Sequence, residues 1–325
     1  MDLSDVLPFI SERAGIELVK AVRFPGGINT TTLVTTRDDR TFVLKLGRRG
    51  RAKTLLKEAV LLGELQGYIP VPQVTWVSDK EFTAFSGAVL MEHLPLGCAI
   101  TVAPDLPLSF FVSVGQMLAR IHSDTVVTRR IAAYLHTLNE SRAVSYPFKQ
   151  KFSRACILVE RIAERNSTLV PILKTLLARM KALEVFFDSV GCALTHNDLS
   201  LNNILTDGSN TSAFIDFEEA MPGDPACDLS FFCQSSIVSG VRASMVGAFL
   251  AAYKCLRALP MGFLERAAFY RYFRAFERVA SQVERSVEVP EETDRPRSSF
   301  NELLERLVHQ TDECLSESSY GVQWR

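Results

Sequence analysis

The sequence predicts an α+β chain of two lobes: a small, antiparallel β-rich N-terminal lobe with one key helix, residues 1–95, and a larger, mainly α-helical C-terminal lobe, residues 96–325. Three observations carry this expectation. Up to residue 94 the texture is strand-rich, interrupted by a single stretch of helical periodicity. After Pro95-Leu96-Gly97 it becomes mostly helical. A strand-like block at 192–218 then breaks into those helices.

In chain order, residues 2–14 suit a short amphipathic helix. Runs 16–24, 30–36 and 41–46 are β-type and are separated by Pro-Gly-Gly and Asp-Asp turns. Residues 52–66 are helical, and 71–77 and 87–94 read as strands again. In the second lobe Phe110, Val114, Met117, Leu118 and Ile121 form one helical stripe. Helices are expected over 172–187, 229–256, 262–286 and 299–317, with a charged, Pro-bearing loop before the last.

Composition removes several classes. Net charge is −1 with 22% charged residues, which gives no electrostatic case for nucleic acid. No apolar run reaches a bilayer span and no basic n-region opens the chain, so neither a membrane segment nor a signal peptide is expected and a cytoplasmic location is. The seven cysteines never take C-x-x-C spacing and read as small hydrophobes in a reducing compartment. His93, His122, His136, His196 and His309 show no metal-ligand spacing, which argues against a metal hydrolase.

The chemistry concentrates at 194–218. Asp198 sits in a loop after a strand-like run, Asn203 follows five residues later, and Asp216 ends a second run. An isolated loop aspartate is most simply a turn former. Three such residues around a hairpin turn, Asp207-Gly208-Ser209-Asn210, can instead meet at one edge. One carboxylate to orient a hydroxyl, plus oxygen ligands for a hard cation, is what phosphoryl transfer needs. His196 reads as structural. Asp228 is either a helix N-cap or a buried acceptor for loop N–H groups.

In the first lobe Lys45 shares a strand face with Val43, away from Phe42, Leu44 and Leu46. On the next helix Leu55, Glu58, Ala59, Leu62 and Leu65 form the apolar stripe, so Glu58 is buried and needs a cation. Lys45 is the natural partner. The turn Phe24-Pro25-Gly26-Gly27-Ile28-Asn29 could bring backbone N–H groups to phosphate oxygens, but alone it is an ordinary hairpin turn.

These pieces resemble the aminoglycoside phosphotransferase and choline kinase family, the small-molecule branch of the bilobal protein-kinase-like fold. The match rests on Gly26-Gly27-Ile28-Asn29, Lys45, Glu58, His196-Asn197-Asp198 with Asn203, Ile215-Asp216-Phe217-Glu218, and Gly223-Asp224-Pro225 with Asp228. It implies a Mg²⁺-dependent phosphotransferase using ATP or GTP on a hydroxyl of a small molecule. Lys45, held by Glu58, would contact the α- and β-phosphates, with Gly26, Gly27 and Asn29 covering them. Asp198 would be catalytic, Asn203 and Asp216 would bind magnesium, and backbone groups from Glu92 to Leu94 would meet the base. Glu218 replaces a hinge glycine found in protein kinases, and only eleven residues separate Asp216 from Asp228. Both departures disfavour a peptide acceptor. A non-catalytic binding module would have lost one of Lys45, Asp198, Asn203 or Asp216, and none is lost.

The acceptor stays open among aminoglycosides, choline or ethanolamine, homoserine-type amino alcohols and sugars. Glu218, Glu219 and Asp224 could serve a polycation. Phe269, Tyr270, Tyr272, Phe273 and Phe276 read as core, not as a cage for a quaternary ammonium. Arg271, Arg274, Arg278 and Arg285 form one helical stripe. It reads as a solvated face paired with Glu277 and Glu284; turned to the cleft, it would repel a polycation and suit a carboxylated or phosphorylated acceptor.

Overall fold

The computed structural model describes residues 6–25, 29–81, 85–138, 147–188, 190–209 and 212–288. The expected helix at 299–317 and the loop before it lie outside these residues. So do Gly26, Gly27 and the side chain of Arg285.

The N-terminal part is a helix, α1 (Leu7–Ala14), then strands β1 (Leu18–Arg23), β2 (Thr30–Thr36) and β3 (Thr41–Leu46), helix α2 (Ala52–Leu65), and strands β4 (Val74–Glu81) and β5 (Ser86–Glu92). The five strands form one antiparallel sheet in the order β1-β2-β3-β5-β4. Alternation along β3 sorts its side chains between two environments. Leu44 and Leu46 join Ile10, Leu18, Val34 and Leu90 under α1. Val43 and Lys45 point to the other face, opposite Met91 and Val89 of β5, where α2 packs. Gly87 has φ +77°, and a Cβ there would lie 2.8 Å from the Cα of Ala52, so the helix start seats directly on this strand.

The chain then passes through Pro95 into β6 (Gly97–Cys98) and helices α3 (Leu108–Ser123), α4 (Thr125–Thr137), α5 (Pro147–Arg165) and α6 (Val170–Ala182). Short strands follow: β7 (Ala193–Thr195), β8 (Ile204–Thr206), β9 (Ser212–Phe214) and β10 (Met221–Gly223). β6, β8 and β9 form a three-stranded sheet, and β10 pairs with β7. Helices α7 (Pro225–Val238), α8 (Ala243–Leu256) and α9 (Phe263–Glu288) complete the described chain. α3 packs closely on α8, because a Cβ at Gly115 would come within 2.4 Å of the Phe249 carbonyl. α9 lies against α5 and α7. Phe269, Phe273 and Phe276 of α9 are fully buried, as expected of core.

Two helical expectations are corrected. The run 172–187 ends as a helix at Ala182 and continues as a 3₁₀ turn, Glu184–Phe187. The run 229–256 is two helices, broken where Gly240 adopts φ +80°, a conformation that ends α7 at no steric cost. Among the described residues no helix is long and apolar enough to cross a membrane.

Candidate active site

The site lies where β3 and α2 meet the loops around β7–β9. Lys45, 8% exposed, sends Nζ to Glu58 Oε1 at 2.8 Å and Oε2 at 3.0 Å. The strand face and the helix stripe read from the sequence therefore bring this pair together. Nζ also donates to Asp216 Oδ1 at 2.8 Å and Glu218 Oε1 at 3.2 Å. Three carboxylates thus share one ammonium. Burial works against the Lys45 charge, but Glu58, Asp216 and Glu218 outweigh it and hold its pKa above the ordinary lysine value. Burial pushes the Glu58 carboxyl up to about 7; Lys45 opposes this, and the charges of Asp216 and Glu218 add to it. Burial also pushes Asp216 up, but Lys45 wins there and its pKa falls below the usual carboxylate value.

Glu218 has two further partners. It accepts from Asn29 Nδ2 at 2.6 Å and Arg51 Nη2 at 2.9 Å, and Arg51 also reaches Glu219 at 3.5 Å. Asn29, Lys45, Arg51, Asp198, Asp216, Glu218 and Glu219 line one cleft, with Thr31, of about 220 Å³. Glu92 and Leu94 do not line it. The Glu92 N–H is already bonded to the Gln73 carbonyl at 2.8 Å.

Asp198 is held on the opposite side. Asn203 Nδ2 donates to its backbone carbonyl at 2.8 Å and to Oδ2 at 3.2 Å. Arg274 Nη2 donates to Oδ1. Burial raises the Asp198 pKa, against the charges of Arg274 and His196. The Ile215 N–H donates to the Asn203 carbonyl at 3.1 Å, which sets Asn203 beside the chain of Asp216. Both Asn197 (φ 62°) and Asp216 (φ 66°) are left-handed, a strain of about 1 kcal/mol each that Asn and Asp bear better than most residues. Three non-glycine residues in the described chain have positive φ, and two of them flank Asp198 and Lys45.

A buried frame sustains this backbone. Asp228, fully buried, accepts the N–H of His196 at 2.7 Å and of Asn197 at 2.8 Å. His122 Nε2 contacts it at 3.1 Å and, with that nitrogen donating, Nδ1 accepts from the Tyr253 hydroxyl at 2.9 Å. His196 Nε2 donates to the Ile215 carbonyl at 2.9 Å, tying the Asp198 loop to the Asp216 strand. Of the two readings of Asp228, the acceptor role holds; the N-cap of α7 is Asp224, bonded to the Ala226 N–H at 2.9 Å.

Arg51 was not expected at the site, and the arginine stripe was expected on the wrong side of its helix. Arg51 occupies the N-cap of α2 with no side-chain cap, and an arginine at a helix N-terminus opposes the dipole. That misfit was the available signal. The arginine stripe of α9 is not a solvated face: Arg271 is 4% exposed and Arg274 reaches Asp198, although Arg274 and Glu277 do pair at 3.1 Å. Nor are the acidic residues free for a polycation. Glu218 and Glu219 engage Arg51, and buried Asp224 pairs with Arg266 at 3.2 Å and Tyr270 at 3.0 Å. Of the cysteines, Cys227 and Cys233 are buried as expected, while Cys192 and Cys255 are exposed.

Residues 20–270 match the model of the phosphotransferase enzyme family. The chain belongs to that family and is a phosphotransferase of kinase-like fold. No curated protein matches the sequence. Among solved structures, a spectinomycin phosphotransferase in complex with ADP and spectinomycin aligns over 96% of this chain and 99% of its own, with 14% identity and a TM-score of 0.68. The GDP complex of an aminoglycoside 2'-phosphotransferase variant aligns over 97% and 100%, with 17% identity and a TM-score of 0.66. The macrolide 2'-phosphotransferase of Brachybacterium faecium aligns over 94% and 98%, with 20% identity and a TM-score of 0.61. At these identities the likeness is one of fold.

Proposed function

We propose that this phosphotransferase moves the γ-phosphate of ATP or GTP to a hydroxyl of a small molecule, with Mg²⁺ as the metal, and that it works as two lobes, 1–95 and 96–325, in the cytoplasm. The observation that carries the reading is one cleft lined by both Lys45, paired with Glu58, and Asp198. Lys45 would hold the α- and β-phosphates as a point charge fixed by Glu58. Asn29, which immediately precedes β2, would cover them, with Gly26 and Gly27 supplying backbone N–H groups. The Leu94 N–H, which makes no hydrogen bond among the described residues, would meet the base edge.

Donor chemistry suits a hard cation. Asp216 exposes 40% of its side chain, and Asn203 has its amide nitrogen committed to Asp198, which leaves its side-chain oxygen for coordination. When bound, Mg²⁺ neutralises charge on the phosphate oxygens. Asp198 orients the acceptor hydroxyl. Its oxygen bonds to the γ-phosphorus as the bond to the bridging oxygen breaks. The electron pair leaves on the nucleoside diphosphate, and the hydroxyl proton passes to Asp198. The spectinomycin, macrolide and aminoglycoside enzymes of the same fold support an acceptor that is a small molecule.

A nucleotide-consumption screen over hydroxyl compounds tests this, with Asp198→Asn as the comparison. The variant is expected to lose about 10³-fold in turnover and to keep the thermal shift given by Mg·ATP or Mg·GTP. A variant as active as the parent would remove Asp198 from the reaction.

A further inference from the structure

Two arginines on the helix face that reaches Asp198 lack, among the described residues, the counter-ions their burial calls for. Arg271, Arg274 and Arg278 share one face of α9 at spacings of three and four. Arg271 is 4% exposed, yet its Nε and Nη2 have no hydrogen-bond partner. Arg278 is half-buried and has neither an ion-pair nor a hydrogen-bond partner among the described residues. Burial and the neighbouring Arg274 charge weaken its guanidinium, and only Asp198 works the other way. Arg274 itself is bound to Asp198 and lies 4.9 Å over the Phe231 ring. Across α5, Lys151 adds a further positive charge 4.7 Å over Phe273.

Opposing acids are already occupied. Glu277 is divided between Arg274 at 3.1 Å and Arg154 at 2.9 Å. Asp224 belongs to Arg266, and Glu218 and Glu219 to Arg51. Among the described residues the surroundings of Asp198 are therefore short of negative charge, and a buried guanidinium without an anion is costly. A polycationic acceptor would meet repulsion here.

Resting on the phosphotransfer reading above, we infer that the acceptor carries an oxyanion, a carboxylate or a phosphate, near the hydroxyl that is phosphorylated, and that Arg278 and Arg274 bind it. A planar guanidinium fork matches such a group with two parallel hydrogen bonds. The same contact frees the catalytic carboxylate. Arg274 cannot give its best geometry to both Asp198 and the oxyanion, so the correct acceptor draws Arg274 away and exposes Asp198 Oδ1 to the hydroxyl. A neutral or cationic alcohol leaves Asp198 locked in its ion pair.

The test is a turnover and thermal-shift panel on the full chain with Mg·ATP or Mg·GTP. Hydroxycarboxylates (glycerate, 4-hydroxybutyrate) and phosphorylated alcohols (glycerol phosphate, sugar phosphates) form two arms, which separate carboxylate from phosphate. Kanamycin, spectinomycin, erythromycin and choline form the third. Turnover or a shift is expected in one oxyanion arm only. Arg278→Gln is then expected to raise KM for that acceptor by about tenfold or more, more than it changes kcat or KM for the nucleotide. Arg278→Lys should recover part of the loss, which a purely structural disturbance would not allow. Turnover of a cationic compound with KM unmoved by Arg278→Gln overturns the inference and leaves the phosphotransfer reading intact. So does silence from both oxyanion arms while the nucleotide shift persists. Absence of any nucleotide shift sinks the phosphotransfer reading, and this inference with it.

Discussion

The two sides of the cleft are unbalanced in opposite directions. Around Lys45, one ammonium serves Glu58, Asp216 and Glu218. Around Asp198, one carboxylate faces Arg274 and, beyond it, Arg278. A protein interior tolerates neither excess without compensation, because an unpaired buried charge costs several kcal/mol. On the proposed reading, Asn203 and Asp216 would hold a divalent ion that supplies the cationic charge the acid-rich side is short of. The base-rich side lacks an anion among the described residues. If the proposed roles hold, nucleotide and acceptor are selected by opposite charge deficits on the two sides of one small cleft.

A third pair serves as the balanced reference. Asp224 and Arg266 are both buried and meet one to one, with Tyr270 and the Ala226 N–H completing the carboxylate. Variants can be ranked against it.

The largest effect is expected from Lys45→Met, which leaves three carboxylates with no ammonium. Turnover should fall by about 10²- to 10³-fold, the cost of removing one preorganised charge from a reacting centre. The apoprotein should become more stable in acid than at neutral pH, since protonation relieves the repulsion. Near-normal kcat/KM would show that the acid excess is structural and would break the comparison on that side.

Arg266→Met is expected to have a smaller consequence, confined to stability. Losing one partner of a buried pair costs about 3 kcal/mol at neutral pH. Burial already raises the Asp224 pKa and Arg266 holds it down, so the variant raises it further. The sign follows: the ionised carboxylate is penalised in the folded state only above the unfolded pKa, so the deficit grows as pH rises from about 4 and shrinks in acid. Denaturant unfolding at several pH values checks this. A deficit independent of pH would mean that Asp224 does not ionise in the fold, and the reference pair would lose its meaning.

Much of the acid-rich side was legible in the sequence. Glu58 falls on the apolar stripe of α2, and strand alternation aims Lys45 at that helix. Two local periodicities therefore sufficed. Asp198, Asn203 and Asp216 lie within nineteen residues of one another and are joined by one hairpin, so their convergence is also nearly local. The base-rich side was not legible. Arg274 lies 76 residues from Asp198, and only the packing of α9 on α7 decides which way its arginine face turns. Helical spacing identifies a face without saying what it meets. Arg51 escaped for a similar reason, as did the tie of Asn29 to Glu218: Glu218 lies well over a hundred residues from both. Glu218 itself was read as the loss of a hinge glycine, whereas its side chain ties Lys45, Asn29 and Arg51 together.

The most direct measurement is equilibrium binding of Mg·ATP and Mg·GTP, with and without chelator, by the parent protein and by Asp216→Asn. Micromolar-range binding of one nucleotide, lost on chelation, is the expected result. In the variant, affinity should be weakened by about tenfold or more, since a metal-bound nucleotide depends on that carboxylate. Tight nucleotide binding that ignores both the chelator and the substitution would contradict the claim that the acid-rich side is completed by a cation.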